Sequence, residues 1–361
     1  MKSKIKFRLL AAFMTVCMLL TLTACGNTSK STSSTEDTKT DTGSGDLITV
    51  GFSQVGAESD WRTANTESMK STFSEENGYE LIFDDAQQKQ ENQIAAIRNF
   101  IQQEVDYIVL APVTETGWDT VLQEAKDAGV PVIIVDRMVN VSDDSLYTAW
   151  VGSNFELEGK KAAAWLYAYL QAAGKGEEPV NIVDIQGTIG ASAQIGRTAG
   201  LEAAVSEHSN WTLLAKVSGE FTQAKGQEVM ESLLKQYGDQ IDVVYCENDN
   251  EAFGAIDAIE AAGYKVGADG DMIVMSFDST NAGLTETLNG KIICNTECNP
   301  LHGPRVQEII QTLEKGETVN KQEYVDEGIF SFDGAVSVIS VDGAEYPVTK
   351  VTKEVIESRA Y

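Results

Sequence analysis

Histidine is scarce in this chain: only His208 and His302 occur among 361 residues. Neither has the spacing of a zinc-ligand pair, so no metal site is predicted. Two histidines also give no convincing Ser-His-Asp set. The sequence has no phosphate loop of the Gly-x4-Gly-Lys-Ser/Thr kind, and no Gly-x-Gly-x-x-Gly turn follows the first predicted strand. These absences argue against triad hydrolases, P-loop enzymes and dinucleotide-dependent enzymes.

Cysteine is also scarce, with five residues in the whole chain. Cys17 and Cys25 lie in an N-terminal segment that is interpreted below as a secretory signal with its lipidation site. Cys246, Cys294 and Cys298 remain. Cys294 and Cys298 are four residues apart in a β-rich run, where an extended chain holds them too far apart for a disulfide. We therefore expect small, buried apolar side chains rather than a disulfide framework.

Cationic side chains are few relative to acidic ones. The chain has 27 lysines and arginines against 55 aspartates and glutamates, which gives a formal charge of −28. So acidic a protein repels the phosphates of nucleic acids and the anionic headgroups of membranes. Nucleic-acid binding and a basic membrane-binding face are therefore not expected.

A secretory signal is predicted for residues 1–24. Basic residues from Lys2 to Arg8 precede an apolar run, Leu9–Leu20, that is too short for a stable membrane span. The tetrapeptide 22–25, Leu-Thr-Ala-Cys, resembles the bacterial lipobox, which implies cleavage before Cys25 and lipidation of its thiol. The alternative is an ordinary secretory signal with an incidental cysteine.

Residues 25–46 are predicted to be a disordered tether, because they are nearly all Ser, Thr, Asp, Gly and Lys and cannot bury apolar area. The folded part is predicted to begin near Leu47, and its length suffices for two domains. The lipid on Cys25 would then be the only attachment to a membrane.

Short apolar runs rich in β-branched residues alternate with longer amphipathic stretches along the rest of the chain. Continuous runs such as Val132–Val135 are typical of strands buried on both faces, and alternation at this spacing predicts βαβ units with parallel sheets. The predicted strands are Leu47–Ser53, Tyr79–Phe83, Tyr107–Ala111, Val130–Asp136, Tyr147–Gly152, Val180–Gln186, Thr212–Val217, Val243–Cys246, Met272–Phe277 and Ile292–Thr296. The predicted helices are Glu58–Glu76, Gln90–Gln103, Gly117–Ala128, Phe155–Ala172, Ser192–Glu207, Thr222–Tyr237 and Asn250–Ala262.

Polar, charged and aromatic residues follow the predicted strands, and parallel sheets bind ligands beyond the carboxyl ends of their strands. Carboxylates accept hydrogen bonds from hydroxyl groups, guanidinium groups hold neighbouring hydroxyls in bidentate fashion, and aromatic rings pack on the C–H faces of a sugar. The pattern therefore predicts a site for a polyol. The strand-end candidates are Glu58, Trp61, Arg62, Asp136, Arg137, Asn154, Phe221, Asn248, Asp278 and Glu297.

Several residues that follow the predicted strands also have a structural interpretation. Asp136, Asp249 and Asp278 could each cap the helix that follows its strand. Trp61 could be a core residue of the first helix. Arg137 is harder to explain in this way, because an arginine directly after a buried strand needs an anionic partner or a ligand.

The strand-end motifs resemble those of the ribose/galactose-type periplasmic sugar-binding proteins. Within that family the likeness is greatest to the galactofuranose-binding members, and it extends from about Leu47 to Glu317. The motifs that carry it are residues 48–54 with Glu58, Trp61 and Arg62, then 87–93, 111–113, 116–118, 135–137, 152–154, 186–192, 226–232, 246–249 and 276–278.

The resemblance implies a type I periplasmic binding protein: two Rossmann-like α/β lobes with parallel sheets, joined by a hinge and closing on a sugar. It implies one lobe of residues 47–152 plus about 299–325, and a second of residues 153–298 plus about 326–361. It implies sugar contacts from the candidates above and adds Arg197. A monomer is expected, with a monosaccharide ligand, an ABC permease and its ATPase as partners, and no cofactor or catalytic residue.

Two departures from the family pattern keep alternatives open. Cys246-Glu247 precedes the Asn248-Asp249 pair, and the segment from Glu327 to Tyr361 is longer than in the galactofuranose binders and unlike them. That segment could add a strand to the second lobe or wrap its surface. The ligand could instead be ribose, galactose or an autoinducer, and a sensor without transport remains an alternative. A glycosidase would need only paired carboxylates, whereas a sugar-sensing transcription factor would carry a helix-turn-helix where this chain has its lipobox.

Overall fold

Two large sheets organise residues 47–361, the part of the chain that the computed structural model describes. The predicted signal (residues 1–24), the predicted lipidation site Cys25 and the predicted tether (residues 25–46) lie outside the described residues. Within residues 47–361, no helix combines the length and the apolar character needed to cross a bilayer.

The first sheet has the strand order β11-β5-β4-β3-β1-β2, and all its pairings are parallel. Helix α9 packs against α1 on this half of the molecule. Its strands are β1 (Ile48–Gln54), β2 (Tyr79–Asp85), β3 (Tyr107–Leu110), β4 (Val132–Val135), β5 (Ala149–Gly152) and β11 (Gln322–Tyr324). Its helices are α1 (Asp60–Thr72), α2 (Gln90–Gln102), α3 (Asp119–Ala128) and α9 (Gly303–Glu314). We call these elements the first half.

The second sheet has the order β15-β12-β10-β9-β8-β6-β7, parallel except for the antiparallel pair β10–β12. Its strands are β6 (Val180–Gln186), β7 (Trp211–Ser218), β8 (Val243–Cys246), β9 (Ile273–Asp278), β10 (Ile292–Glu297), β12 (Ile329–Ser331) and β15 (Thr349–Lys350). Its helices are α4 (Phe155–Ala172), α5 (Ser192–Glu207), α6 (Gln223–Tyr237), α7 (Asp249–Ala261), α8 (Asn281–Leu288) and α10 (Lys353–Glu357). A hairpin of β13 (Val338–Val341) and β14 (Ala344–Pro347) packs on α4. We call these elements the second half.

The predicted fold class is confirmed: the sheets are parallel-dominated and helices alternate with strands. Strand β4 reads Val-Ile-Ile-Val and is fully buried, as expected for a strand with helices on both faces. Sequence periodicity missed the short helix α8 and the helix α9 that returns to the first half. The segment after Glu327 extends the second sheet through β12 and β15.

A group of buried carboxyl groups lies at the carboxyl end of the second sheet. Glu247 follows β8 and is fully buried; it accepts hydrogen bonds from the Gly187 amide at 2.8 Å and the Thr198 hydroxyl at 2.6 Å. Asp184 on β6 is equally buried, and its Oδ1 has no hydrogen-bond partner among the described residues. Burial raises the pKa of Glu247 to about 8 and raises the pKa of Asp184 well above its usual value. The fold therefore keeps at least one of these protons at neutral pH.

This proton makes stability depend on pH. Between the pKa of an unfolded glutamate and about 8, folded Glu247 retains a proton that the unfolded chain releases. The free energy of unfolding should therefore fall as pH rises from 5 to 8, by up to about 1.4 kcal/mol per pH unit for one proton. Glu247→Gln, which is neutral throughout, should flatten this slope by about one proton, as measured by chemical denaturation at four pH values.

Glu124→Gln is the matched control, because Glu124 is exposed, pairs with Arg98 and has a lowered pKa. It should leave the slope between pH 5 and 8 as in the original chain. An unchanged slope in Glu247→Gln would contradict the conclusion that folded Glu247 retains a proton.

Candidate ligand-binding cavity

A cavity lies between the two halves, at the carboxyl ends of both sheets. Nine of the residues predicted from the sequence line it: Glu58, Trp61, Arg62, Asp136, Arg137, Arg197, Phe221, Asn248 and Asp278. Four residues that the sequence analysis did not name complete the lining: Ser59, Phe155, Ala193 and Cys298.

The first half contributes a paired cluster of charges. The Arg62 guanidinium donates to Asp136 Oδ2 at 2.8 Å and to Glu58 Oε1 at 3.0 Å, and a third contact reaches Gln54 Oε1 at 3.2 Å. Burial alone would raise the pKa of Asp136, but the charges of Arg62 and Arg137 lower it below its usual value. Asp136 therefore stays ionised and accepts its hydrogen bond from Arg62 as a carboxylate.

Arg137 is paired more weakly than Arg62. Its nearest carboxylate oxygens, on Glu58 and Asp136, are 3.7 and 3.9 Å away, although its Nη1 donates to the Val113 carbonyl at 3.0 Å. Burial and the positive charge of Arg62 lower the pKa of Arg137 to about 10. Arg137 is thus a buried cation with hydrogen-bonding capacity left for a ligand.

The second half contributes Arg197 in an acidic surrounding. Arg197 Nε donates to Glu158 Oε2 at 2.7 Å, and its Nη2 lies 3.6 Å from Asp278 Oδ1. Burial raises the pKa of Asp278 well above its usual value and also raises that of Glu158, in both cases against the lowering effect of Arg197. One arginine thus serves two buried carboxyl groups.

Each cavity arginine lies over an aromatic ring. The guanidinium carbons of Arg62 and Arg137 are 4.6 Å from the Trp61 ring and 4.9 Å from the Phe221 ring. That of Arg197 is 5.4 Å from the Phe155 ring, so Phe155 supports the third arginine. Such contacts hold the planar donor groups in fixed orientations before a ligand arrives.

The backbone is strained at three cavity residues. Asp136, Phe221 and Asp278 have φ values of 62°, 60° and 92°, a left-handed region that costs non-glycine residues on the order of 1 kcal/mol or more. A Cβ on Gly187 would lie 1.9 Å from the Phe221 ring, so only glycine allows this aromatic side chain its place. Backbone strain of this kind persists where the surrounding structure holds a side chain in one required direction.

A close contact between helices places Arg197. A Cβ on Gly159 of α4 would lie 2.6 Å from the Arg197 carbonyl oxygen, so α4 and α5 approach each other with almost no side chain between them. This approach brings Glu158, the residue before Gly159, into hydrogen-bond range of the arginine.

The capping interpretation does not apply to the three aspartates. Asn248 caps α7 and its side chain also donates to the Phe221 carbonyl at 3.0 Å, while Thr280 caps α8. Asp249 joins neighbouring segments instead. Its carboxylate accepts hydrogen bonds from Ser276, Thr280 and Asn295 at 2.7, 2.7 and 2.6 Å.

Two predicted contact residues do not line the cavity. Asn154 caps α4, with its Oδ1 accepting from the Leu157 amide at 3.1 Å. Glu297 accepts a hydrogen bond from the Tyr361 hydroxyl at 2.6 Å and lies 2.9 Å from Arg359 Nη2. Both side chains therefore have structural partners in this structure.

Of the unpredicted lining residues, Cys298 had a weak sequence signal, since it follows β10 as the other candidates follow their strands. Its thiol is free and buried, as expected for all three described cysteines. Its carbonyl accepts a hydrogen bond from Trp61 Nε1 at 2.7 Å, which ties the indole to the cavity wall.

Among residues 47–361, one group of side chains has the composition of a metal site: Glu158, Cys298 and Glu327 bring one ligand-type atom each within 4.8 Å of the others. Protein donors already occupy one oxygen of each carboxylate. Arg197 binds Glu158, and Ser153 and the Asn299 amide bind Glu327 at 2.5 and 2.9 Å.

Comparison with known proteins identifies relatives over most of the described residues. A sequence profile described as "Periplasmic binding protein domain" matches residues 50–296. The galactofuranose-binding protein YtfQ of Escherichia coli strain K12 is 44% identical over 260 residues, which cover 71% of this chain and 79% of that protein.

Solved structures of sugar-bound proteins also resemble this chain. A Mycobacterium smegmatis protein in complex with β-D-fucofuranose is 44% identical with a TM-score of 0.75, and the match covers 80% of this chain and 93% of that one. The periplasmic binding protein component of the arabinose ABC transporter from Shewanella sp. ANA-3, bound to α- and β-L-arabinofuranose, is 41% identical with a TM-score of 0.74 and the same coverage, 80% and 93%. The chain therefore belongs to the periplasmic binding protein family, whose members bind solutes outside the cytoplasm without transforming them.

Proposed function

We propose that this protein is the lipid-anchored, extracytoplasmic sugar-binding component of an ABC importer, and that its ligand is a monosaccharide in the furanose form, galactofuranose or a close analogue first. The observation that carries the proposal is the cavity lining. Residues of both halves converge there, and they combine charged hydrogen-bonding groups with aromatic rings.

The mixture of donors and acceptors in the lining favours an uncharged ligand rich in hydroxyl groups. Three arginines (Arg62, Arg137 and Arg197) and three carboxyl residues (Glu58, Asp136 and Asp278) surround the cavity. A phosphate or carboxylate of a ligand would lie close to the ionised Asp136, and such a like-charge contact is costly in a buried site. A sugar offers hydroxyl groups that both donate and accept, so it can serve guanidinium and carboxylate groups together.

The relatives support the ring form. The three relatives reported above are a galactofuranose-binding protein, a protein in complex with β-D-fucofuranose and a protein bound to L-arabinofuranose, and all three sugars are five-membered rings. At 41 to 44% identity, these proteins favour a furanose for this chain as well.

We propose two lobes, residues 47–152 plus about 299–325 and residues 153–298 plus about 326–361, and the division of the strands into two sheets supports them. Three connections join the sheets, after β5, after β10 and between β11 and β12. Hydrogen bonds between the halves support a closed form: the Asp60 amide donates to Asn250 Oδ1 at 3.0 Å, and the Met138 amide to Ser192 Oγ at 2.9 Å. Opening at the three connections would expose the cavity, and a bound sugar would hold it shut.

Transport would follow from this opening and closing of the two lobes. Closure on the sugar would present a defined surface to a membrane permease, whose ATPase would drive uptake, while the lipid on Cys25 and the tether of residues 25–46 would keep the monomer near its partner.

Isothermal titration calorimetry against a panel tests the ligand. The panel contains D-galactose, D-fucose, L-arabinose, D-ribose and D-fructose, each with its furanose form in equilibrium, together with methyl β-D-galactopyranoside, which is locked as a pyranose. We expect heat of binding from D-galactose, D-fucose or L-arabinose and none from the locked pyranoside. No response from any sugar would sink the proposal.

Arg137→Met tests the site. We expect sugar affinity to fall at least about 100-fold, since a charged hydrogen-bond donor to the ligand is lost. The melting temperature of the sugar-free protein should hold or rise, because removing a weakly paired buried cation relieves desolvation.

Arg98→Met is the matched control in the same half, because Arg98 is exposed and forms its salt bridge with Glu124, away from the cavity. Arg98→Met should change neither the sugar affinity nor the melting temperature of the sugar-free protein. A large loss of stability in sugar-free Arg137→Met would mean that Arg137 is a structural residue instead.

A further inference from the structure

Glu297 lies next to the cavity, and the segment from Thr352 to Tyr361 binds its carboxylate. Its Oε1 accepts a hydrogen bond from the Tyr361 hydroxyl at 2.6 Å and lies 2.9 Å from Arg359 Nη2. Its Oε2 accepts from the Gly328 amide at 2.6 Å, and the Glu297 amide donates back to the Gly328 carbonyl at 3.1 Å. Both carboxylate oxygens are therefore occupied by residues outside β10.

The two side chains that bind Glu297 are held by their own surroundings. The Arg359 guanidinium contacts two aromatic rings, with its carbon 5.0 Å from the centre of the Phe330 ring and 4.5 Å from that of Tyr361. The Tyr361 carbonyl accepts a hydrogen bond from the Asn281 amide at 2.9 Å, where α8 begins. An apolar cluster under the segment consists of Leu284, Phe330 and Val351, with Leu288, Val355 and Ile356 packed against it. Arg359 and Tyr361 are thus fixed points to which Glu297 attaches.

The position of Glu297 decides where the following cavity residue lies. Cys298 lines the cavity, its carbonyl accepts from Trp61 Nε1 at 2.7 Å, and its amide donates to the Asp278 carbonyl at 3.4 Å. Glu297 itself stands opposite Asp278 in the β9–β10 register. Three lining residues therefore depend on how the end of β10 is held.

We propose that Arg359 and Tyr361 are positioning residues of the cavity: by binding the Glu297 carboxylate they fix the end of β10, and through it Cys298, Asp278 and the indole of Trp61. Neither residue lines the cavity itself. The effect on β10 is independent of what the cavity binds, whereas the effect on sugar affinity rests on the proposed function.

Amide hydrogen exchange in the sugar-free protein tests whether Arg359 and Tyr361 fix the end of β10. In Arg359→Gln and Tyr361→Phe, exchange at the Glu297, Cys298 and Gly328 amides should rise about tenfold, with the buried Val244 amide of β8 unchanged. Arg359→Lys keeps the charge and should recover part of the protection. Lys353→Gln, an exposed residue of α10 in the same segment, is the control and should have no effect. Unaltered exchange at the three amides, or an equal rise at Val244, would overturn the proposal.

Titration with D-galactose tests the effect on sugar affinity. Arg359→Gln and Glu297→Gln should each weaken binding about tenfold, and the double variant should be no worse than either one, because both act through the same contact. Additive losses, or affinities equal to that of the original chain, would contradict it. If the original chain binds no D-galactose, the proposed ligand fails, and the exchange experiment still decides the role of Arg359 and Tyr361.

Discussion

The structure depends above all on the cost of burying charge. Arg62, Arg137 and Asp136 are each at most 3% exposed, and an ionised group so far from water is unfavourable by several kcal/mol unless it is paired. Arg62 is fully paired within its own half, whereas Arg137 lies 3.7 and 3.9 Å from its nearest carboxylate oxygens among residues 47–361. The closed cavity is therefore satisfied best by a molecule that supplies hydrogen bonds without adding charge, and a small sugar has this chemistry.

This constraint explains the surrounding architecture. Parallel strands end at one edge and bring groups from distant parts of the sequence together there, while aromatic rings under the arginines and left-handed backbone at Asp136, Phe221 and Asp278 set their directions. Beneath the cavity, Glu247 and Asp184 form no salt bridge with any cation of residues 47–361, and burial raises the pKa of both so that the fold retains protons there. The second half is thus more acidic in its interior than the first, and Arg197 offsets part of that excess.

Local rules made most of the fold and of the cavity predictable from the sequence. Continuous β-branched runs gave the parallel strands, and the residues directly after them gave Asp136, Arg137, Asn248 and Asp278, which meet in one cavity. Arg197 was different: it lies within α5 rather than after a strand, and only the family resemblance indicated it.

Long-range contacts set the limit of such predictions. Glu297 follows the strand-end pattern, yet its partner Tyr361 is 64 residues away, and no local signal indicates that contact. Asn154 likewise fits the pattern but caps the helix that it precedes. Phe155 and Cys298 were missed because a phenylalanine at a helix start and a cysteine at a strand end read as ordinary core residues. Their place in the cavity depends on how the two halves meet.

We propose that two hinged halves close around one uncharged sugar, and solution X-ray scattering measures this closure most directly. Profiles of the protein would be recorded without ligand and with a saturating sugar identified by calorimetry. We expect a smaller radius of gyration with the sugar and a scattering profile that then matches the structure described here. A radius of gyration that stays the same while the sugar demonstrably binds would contradict it.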